Sequence, residues 1–291
     1  MTEIIKTFAT QIGETPMIEL RTISPQGAAK IYLKMESLNP SGSSKDRVML
    51  NMIEIGEEAG QIGVGSVLVD ACDQHAGISF AMLAAAKGYR SLIVTPEGLN
   101  PAIEAIITKY GGEIVYTPIE AGMSAAISRA EEMARENDYH YLAQFTNQGN
   151  PAVHEATTGP EMIEAMGEIP IDAFVASVGT GGTLTGVGRS LRLANPNVEI
   201  YAVEPEASQP LSGGVAGIHP LVGMGYGFIP PVLELTLYNG VVRVTVEEVY
   251  ALSDHLAKQE GLLVSDATAA AISGAVEIAK RLGRGKTVVV V

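Results

Sequence analysis

Apolar positions along this chain follow two periodicities that alternate, and the alternation predicts the architecture. Short apolar runs at 66–70, 91–95, 113–116 and 171–178 have the length and the β-branched content of buried strands. The segments between such runs are longer, and 123–137 shows the 3.6-residue spacing of an amphipathic helix. Strands that alternate with helices form right-handed βαβ units. The pattern therefore predicts an α/β fold of parallel sheets between helices, in three αβα layers.

Turn-forming residues cluster at 147–151, where Asn-Gln-Gly-Asn-Pro interrupts the alternation. We therefore predict two domains: a smaller one at 39–148, and a larger one formed by 1–38 and 149–291. The stretch 205–234 lacks a regular pattern and is longer than ordinary loops, which favours a functional loop. Ligands of such folds bind at the carboxyl ends of the parallel strands, so we expect the functional loops to meet in one cleft between the domains.

Composition narrows the class of protein. The chain has 291 residues and a formal net charge of −14, which argues against a nucleic acid or an anionic membrane as partner. We find no apolar run long enough to span a bilayer and no export signal at the N-terminus, so we expect a cytoplasmic protein. The single cysteine excludes an internal disulfide, and the five histidines lack metal-ligand spacing, so we expect no metal site.

A turn-rich stretch at 37–47 places a lysine at the start of a predicted helix. The sequence Ser-Leu-Asn-Pro-Ser-Gly-Ser-Ser-Lys-Asp-Arg puts Lys45 in the first turn, with serines before it as N-caps. The positive end of the helix dipole disfavours an ammonium group there, which favours a nucleophilic amine. The alternative is an ordinary solvated lysine. A matching anion site elsewhere in the chain would favour a reactive lysine over this alternative.

Such an anion site follows the apolar run 171–178. Gly179, Thr180, Gly181, Gly182 and Thr183 lie between that predicted strand and a predicted helix at 184–193. Glycines at such a turn let backbone N–H groups converge on a phosphate, and the threonines add hydroxyl donors. The spacing is neither that of a dinucleotide-binding turn nor that of a Walker loop. A reactive lysine together with a small phosphate site suggests pyridoxal phosphate, which presents an aldehyde and a phosphate.

The chain also resembles a known family, the cysteine synthases (O-acetylserine sulfhydrylases) among the fold type II, tryptophan-synthase-β-like pyridoxal phosphate enzymes. The matching stretches cover nearly the whole chain in family order: 15–16 with Leu20, 39–47, 84–89, 157–161, 179–188, 203–205 and 225–230. The resemblance implies that Lys45 is the Schiff-base lysine and that 179–183 holds the phosphate. It also implies a mobile substrate domain at 39–148, a homodimer, and a serine-type amino acid with sulfide or a thiol as substrates.

The loop 72–77 departs from the family pattern. The family usually has Thr-Ser-Gly-Asn-Thr-Gly, which holds the substrate's α-carboxylate and, through the asparagine, the cofactor's phenolic oxygen. Here we expect Cys72, Asp73, Gln74 and Ala76 to face the substrate and His75 to take the place of the asparagine. A carboxylate at Asp73 would repel the substrate's carboxylate by about 1–4 kcal/mol at a separation of about 4 Å.

Other site positions are partly retained. Gln144 matches a family glutamine that helps bind the substrate's carboxylate, and we assign it to the substrate site with Gly225 and Tyr226. Tyr226 stands where sulfhydrylases usually have alanine. In having a tyrosine at this position, the chain resembles the cystathionine β-synthases. Near 264–269, where a family serine faces the pyridine nitrogen, the chain has Asp266, Ala267 and Thr268. Thr268 is the nearest hydroxyl and a predicted cofactor ligand. Asp266 is either a partner of that nitrogen or an N-cap of the next helix.

Several functions remain open from the sequence. The first is a pyridoxal phosphate enzyme that catalyses β-elimination and β-replacement, with O-acetylserine and sulfide giving cysteine. A serine-plus-thiol reaction like that of cystathionine β-synthase is the second. A catalytically silent protein, or one with a rewritten active site and a new reaction, is the third. A nucleophile–base pair of Cys72 and His75, three residues apart on one loop, is a further alternative.

Overall fold

A computed structural model describes residues 8–291. The part of the predicted larger domain at 1–7 lies outside the described residues. The strands within 8–291 are Met17–Leu20 (β1), Lys30–Lys34 (β2), Val67–Ala71 (β3), Arg90–Pro96 (β4), Glu113–Thr117 (β5), His140–Tyr141 (β6), Ala173–Ser177 (β7), Glu199–Pro205 (β8), Gly240–Val244 (β9) and Thr287–Val290 (β10). The helices are Lys45–Glu58 (α1), Gln74–Lys87 (α2), Pro101–Lys109 (α3), Gly122–Asn137 (α4), Gly149–Val153 (α5), Gly159–Met166 (α6), Gly182–Ala194 (α7), Val246–His255 (α8) and Asp266–Leu282 (α9).

The described chain divides into two compact units. The first contains the described residues up to Gly13 together with Ser37–Asn150, and the second contains Glu14–Glu36 and Pro151–Val291. We predicted a substrate domain at 39–148 and a cofactor domain formed by 1–38 and 149–291. This assignment of roles to the two domains stays a prediction.

The first unit is built on a parallel sheet with the strand order β5-β4-β3-β6. Its helices pack on the sheet in two ways, since α2 is buried on all sides over 76–84 whereas α4 buries a single apolar stripe. In α4, Met123, Ala126, Ala130 and Met133 are buried at helical spacing while the intervening residues are more exposed. Strand β3, which leads into the loop at 72–77, has neighbours on both sides and so is an interior strand.

The second unit is built on a six-stranded sheet with the order β1-β2-β10-β7-β8-β9. Only the β1–β2 pair is antiparallel among these described strands. The sheet is buried on both faces, because Val175 of β7 packs in one apolar cluster with α9 and its neighbours Phe174 and Ala176 pack in another with α7. This unit therefore has three αβα layers.

The predicted α/β class with parallel sheets is confirmed, and the irregular stretch is real, extending from the end of β8 to Gly240. The short strand β6 and the π-helical turn His154–Thr158 after α5 carry no periodic signal in the sequence, and a second π-helical turn, Leu256–Glu260, continues α8. Among residues 8–291, no helix is both long enough and apolar enough to cross a lipid bilayer.

Candidate active site

Lys45 is the first residue of α1, and a self-contained turn fixes its position. The N–H of Gly42 donates to the carbonyl of Asn39 at 2.8 Å, and Gly42 has a φ of +87°, which favours glycine. The buried carboxylate of Asp46 accepts the Ser41 N–H at 2.8 Å and the Ser41 hydroxyl as well. The turn and the first helical turn thus hold each other, and Lys45 projects from their junction.

The expectation that a serine caps α1 through its side chain is corrected at the N-cap itself. Ser44 is the N-cap residue, but it has helical dihedral angles and its side chain caps no N–H. The hydroxyl oxygen of Ser43 instead accepts the Lys45 N–H at 3.2 Å. The helix N-terminus around Lys45 is therefore satisfied only in part by side chains.

Asp73 is the N-cap of α2. It has an extended backbone, and its Oδ1 accepts the N–H of Ala76 at 3.0 Å, which satisfies one of the open donors of the helix. The helix begins at Gln74, so the prediction of a loop over 72–77 is wrong for 74–77, and Gln74 and His75 lie half-buried in the first helical turn. The carboxylate that the sequence analysis treated only as a repulsive charge thus also has a structural role.

Cys72 lies at the end of β3 and is completely buried. Burial raises the pKa of the thiol well above its ordinary value, and the charges of Asp70 and Asp73 raise it further, whereas the Lys45 ammonium opposes them. A thiol in this setting stays protonated, so the geometry does not support Cys72 as the nucleophile of a Cys72–His75 pair. Lys45 belongs to the same compact unit as Cys72.

Gln144 is buried beside Cys72. Its Nε2 donates to the carbonyl of Ala71 at 2.6 Å and to the sulfur of Cys72 at 3.5 Å. The Gln144 amide, which we expect to bind a substrate carboxylate, thus donates a hydrogen bond to the last residue of β3, the strand that precedes Cys72. Its role in substrate binding stays a prediction.

Asp70 is a titratable group of this unit that sequence reasoning missed. Its Oδ1 accepts the N–H of Ala143 at 3.1 Å, whereas its Oδ2 is buried with no hydrogen-bond partner among the described residues. Burial raises the pKa of Asp70 to about 7, although nearby amides partly offset the effect. The available signal was an acidic residue at the end of an otherwise apolar strand.

This carboxyl predicts a pH dependence of stability. Between pH ~4 and ~7 the unfolded chain has lost the proton of Asp70 but the folded chain keeps it, so this residue's contribution to stability falls as pH rises and levels off above pH ~7. The free energy of unfolding of Asp70→Asn, measured with urea relative to that of the wild type, should rise by on the order of 3 kcal/mol between pH 4.5 and pH 8. The exposed Asp254→Asn is the control, and an Asp70→Asn difference that does not vary with pH would contradict the assignment.

In the second unit, the loop 179–183 joins β7 to α7 in the way the sequence predicted. Gly181 is the N-cap of α7 in a left-handed conformation, φ +86°, and as a glycine it has no side chain to cap the helix, while the Thr180 hydroxyl accepts the Gly182 N–H at a long 3.5 Å. A Cβ on Gly179 would lie 2.4 Å from the carbonyl oxygen of Gly223, and one on Gly181 would lie 2.8 Å from Cβ of Leu233. The loop therefore requires glycine, and it presents amide and hydroxyl donors and no acidic side chain, a donor set that fits a phosphate.

Two other segments of this unit contact the loop. Gly225 donates its N–H to Val178 at 2.9 Å, and the Tyr226 ring would lie 3.6 Å from a Cβ on Gly179, so the structure brings the predicted residues Gly225 and Tyr226 beside the loop. His154, which the sequence analysis did not select, lies 3.2 Å from the hydroxyl of Thr183.

The start of α9 contradicts one of the two expectations for Asp266, while its role as a partner of the pyridine nitrogen stays a prediction. Ser265 is the N-cap, because its backbone is extended and its Oγ accepts the Thr268 N–H at 3.2 Å, so the prediction that Asp266 caps the helix is wrong. Asp266 accepts the N–H of Val222 at 3.1 Å. The Thr268 hydroxyl accepts from Ser265 Oγ at 3.2 Å, and its role as a cofactor ligand stays a prediction.

Comparisons with known proteins identify relatives that use pyridoxal phosphate. The family model of pyridoxal-phosphate-dependent enzymes matches residues 8–291. A cysteine synthase of Staphylococcus aureus (strain Mu50) is 45% identical over 280 residues, covering 96% of this chain and 90% of the relative. A probable cysteine synthase of Bacillus subtilis (strain 168) is 42% identical over 292 residues, covering 99% and 94%.

Solved structures give the same picture. The structure of O-ureido-L-serine synthase superposes with a TM-score of 0.95 at 32% identity, covering 99% of this chain and 91% of that one. The cysteine synthase of Entamoeba histolytica superposes with a TM-score of 0.93 at 29% identity, covering 99% and 87%.

Proposed function

Because the chain belongs to the family of pyridoxal-phosphate-dependent enzymes and is of the cysteine synthase type, we propose that Lys45 and the loop 179–183 serve a β-replacement in which sulfide displaces acetate from O-acetylserine. The observation that carries the assignment of the phosphate site is the start of α7. Its N-cap residue is a glycine with no capping side chain, the Thr180 hydroxyl makes only a long 3.5 Å bond to the Gly182 N–H, and Gly179 and Gly181 leave no room for a Cβ. A helix N-terminus with so little side-chain capping suits a dianionic phosphate.

Pyridoxal phosphate, when bound, supplies a ring that accepts electrons from the substrate's α-carbon. In this proposal Lys45 holds the cofactor through its aldehyde and moves the α-proton, and the turn at 39–46 keeps the amine in place. We assign His75 to the cofactor ring, and Cys72, Gln74 and Ala76 to the face that receives the substrate.

The remaining assignments concern the substrate's carboxylate and the incoming nucleophile. Gln144, Asp73, Gly225 and Tyr226 are proposed to shape these positions, and Thr268 to face the cofactor. The N-terminus of α2 carries partial positive charge that favours the substrate's carboxylate and that the charge of Asp73 opposes, whereas the N-terminus of α7 is assigned to the cofactor's phosphate.

Asp73 gives a direct test of substrate binding. We expect Asp73→Ser to lower the KM for O-acetylserine about tenfold or more with little change in kcat, because it removes a negative charge near the substrate's carboxylate and keeps an N-cap. Asp73→Asn separates the two effects, since it removes the charge without adding a hydroxyl. An unchanged KM in both variants would show that Asp73 points away from the substrate.

Reconstitution with pyridoxal phosphate tests the function itself. The protein should gain an absorbance band near the visible edge, this band should shift on addition of O-acetylserine, and sulfide should restore it with release of cysteine. A shift with serine and homocysteine alone would instead indicate the cystathionine type of reaction. A band without any shift would indicate a silent protein.

A homodimer and a cytoplasmic location remain predictions from the family resemblance and the composition. Sedimentation equilibrium of the reconstituted protein tests the first, and cell fractionation tests the second.

A further inference from the structure

His154 is a buried imidazole that links a π-helical turn to the phosphate loop within the second unit. Its side chain is 1% exposed. Its Nδ1 lies 2.9 Å from the hydroxyl of Thr158, at the other end of the turn, and its Nε2 lies 3.2 Å from the hydroxyl of Thr183. Thr158 is fully buried, whereas Thr183 is half-buried at the start of α7.

Close packing of α7 makes this contact possible. A Cβ on Gly186 would lie 2.1 Å from the carbonyl oxygen of Pro151 and 2.6 Å from Cβ of His154, and a Cβ on Gly159 would lie 2.5 Å from Cβ of Ser190. The helix thus lies directly against the π-helical turn. Because both sides are fixed by backbone contacts, the distance from the imidazole to Thr183 is set by the fold rather than by a mobile side chain.

The direction of these hydrogen bonds follows from what the loop binds. A phosphate accepts hydrogen bonds, so the Thr183 hydroxyl must donate to it and can only accept from His154. Nε2 of the imidazole must then carry the proton. In a neutral imidazole Nδ1 is left as an acceptor, and the Thr158 hydroxyl is placed to donate to it.

We propose that His154, oriented by Thr158, is a positioning residue that turns the Thr183 hydroxyl towards the cofactor's phosphate; this inference rests on the proposed phosphate site at 179–183. In this hydrogen-bond chain the Thr158 hydroxyl donates to Nδ1 of His154, and Nε2–H of His154 donates to the Thr183 hydroxyl. The Thr183 hydroxyl in turn donates to the phosphate.

The chain offers a matched control in the same turn. Thr157 is a neighbouring threonine whose hydroxyl donates to the carbonyl of Val153 at 2.6 Å. Thr157→Val and Thr158→Val remove the same group from adjacent positions, but it is the Thr158 hydroxyl that lies 2.9 Å from Nδ1 of the imidazole. Thr158→Ser keeps the hydroxyl and should behave as wild type.

The experiment compares the affinities of the apoprotein for pyridoxal phosphate and for pyridoxal, which lacks the phosphate. We expect Thr158→Val to weaken pyridoxal phosphate about three- to tenfold and to leave pyridoxal unchanged, with Thr157→Val and Thr158→Ser close to wild type. Thr183→Ala should weaken pyridoxal phosphate at least as much. Loss with Thr183→Ala but not with Thr158→Val overturns the role of His154 and leaves the phosphate site standing. No loss in either variant overturns the phosphate site and the inference together.

A second measurement uses the wild-type holoenzyme, so the tautomer that it reports is unaffected by any substitution, and a variant serves only to assign the signal. The nitrogen-15 NMR spectrum of labelled histidines, with His154 assigned from a His154→Gln sample, reports which ring nitrogen carries the proton. A proton on Nε2 alone supports the proposal, and a proton on Nδ1 overturns it.

Discussion

Replacing Lys45 by alanine should reduce kcat/KM for O-acetylserine by about 10³-fold or more, since the substitution removes both the group that holds the cofactor and the base that moves the α-proton. Borohydride treatment of the reconstituted wild type should leave the cofactor on the peptide that contains Lys45. The variant should keep its fold, because Lys45 makes its contacts to the turn through the backbone and the carboxylate of Asp46 secures that turn.

The control for this result is an exposed lysine. Lys258 lies on the surface in an ion pair with Asp254, so Lys258→Ala should leave kcat/KM within twofold of wild type. Two results would contradict the assignment of Lys45. One is activity of Lys45→Ala within tenfold of wild type, and the other is recovery of the borohydride label on a different peptide.

Replacing Gly186 by alanine should lower the free energy of unfolding by about 3 kcal/mol and weaken pyridoxal phosphate binding together with it. The added Cβ would lie 2.1 Å from a backbone carbonyl oxygen, which cannot move as a side-chain tip can. Helix α7 would have to shift away from the π-helical turn, and the distance between His154 and Thr183 would grow. Urea unfolding and titration with the cofactor measure the two effects.

Gly188, on the same helix, is the matched control. A Cβ there would lie 2.8 Å from Cδ2 of Leu237 and 3.1 Å from Cδ1 of Ile200, both ends of flexible side chains. Alanine in a helix interior also gains about 0.5–1 kcal/mol over glycine, so Gly188→Ala should stay within about 1 kcal/mol of wild type. Equal stability of the two variants would show that α7 does not press on the turn.

The sequence predicted those parts of the site that depend on local signals. Lys45 follows a run of turn residues, and 179–183 is a glycine run between an apolar strand and a helix, so each could be located from its immediate neighbours. The alternation of strand and helix patterns likewise predicted parallel sheets. These features depend on residues close in the chain.

The remaining features depend on contacts that no local pattern encodes. His154 reaches Thr183 across 29 positions because a π-helical turn and the glycines of α7 bring them together. Asp73 was interpreted by its charge, although its place before Gln74 also suits an N-cap. The N-cap of α9 is Ser265, one residue before the predicted Asp266, because a local pattern locates a helix boundary only to within one or two residues.

The loops at 72–77 and 179–183 each follow an interior strand, β3 between β4 and β6 and β7 between β10 and β8. A neighbouring strand on either side holds the attachment point of each loop whatever side chains the loop itself carries. Substitutions that spare the helix cap and the glycines should therefore leave the sheet intact, whereas Asp73 caps α2 and neither Gly179 nor Gly181 has room for a Cβ.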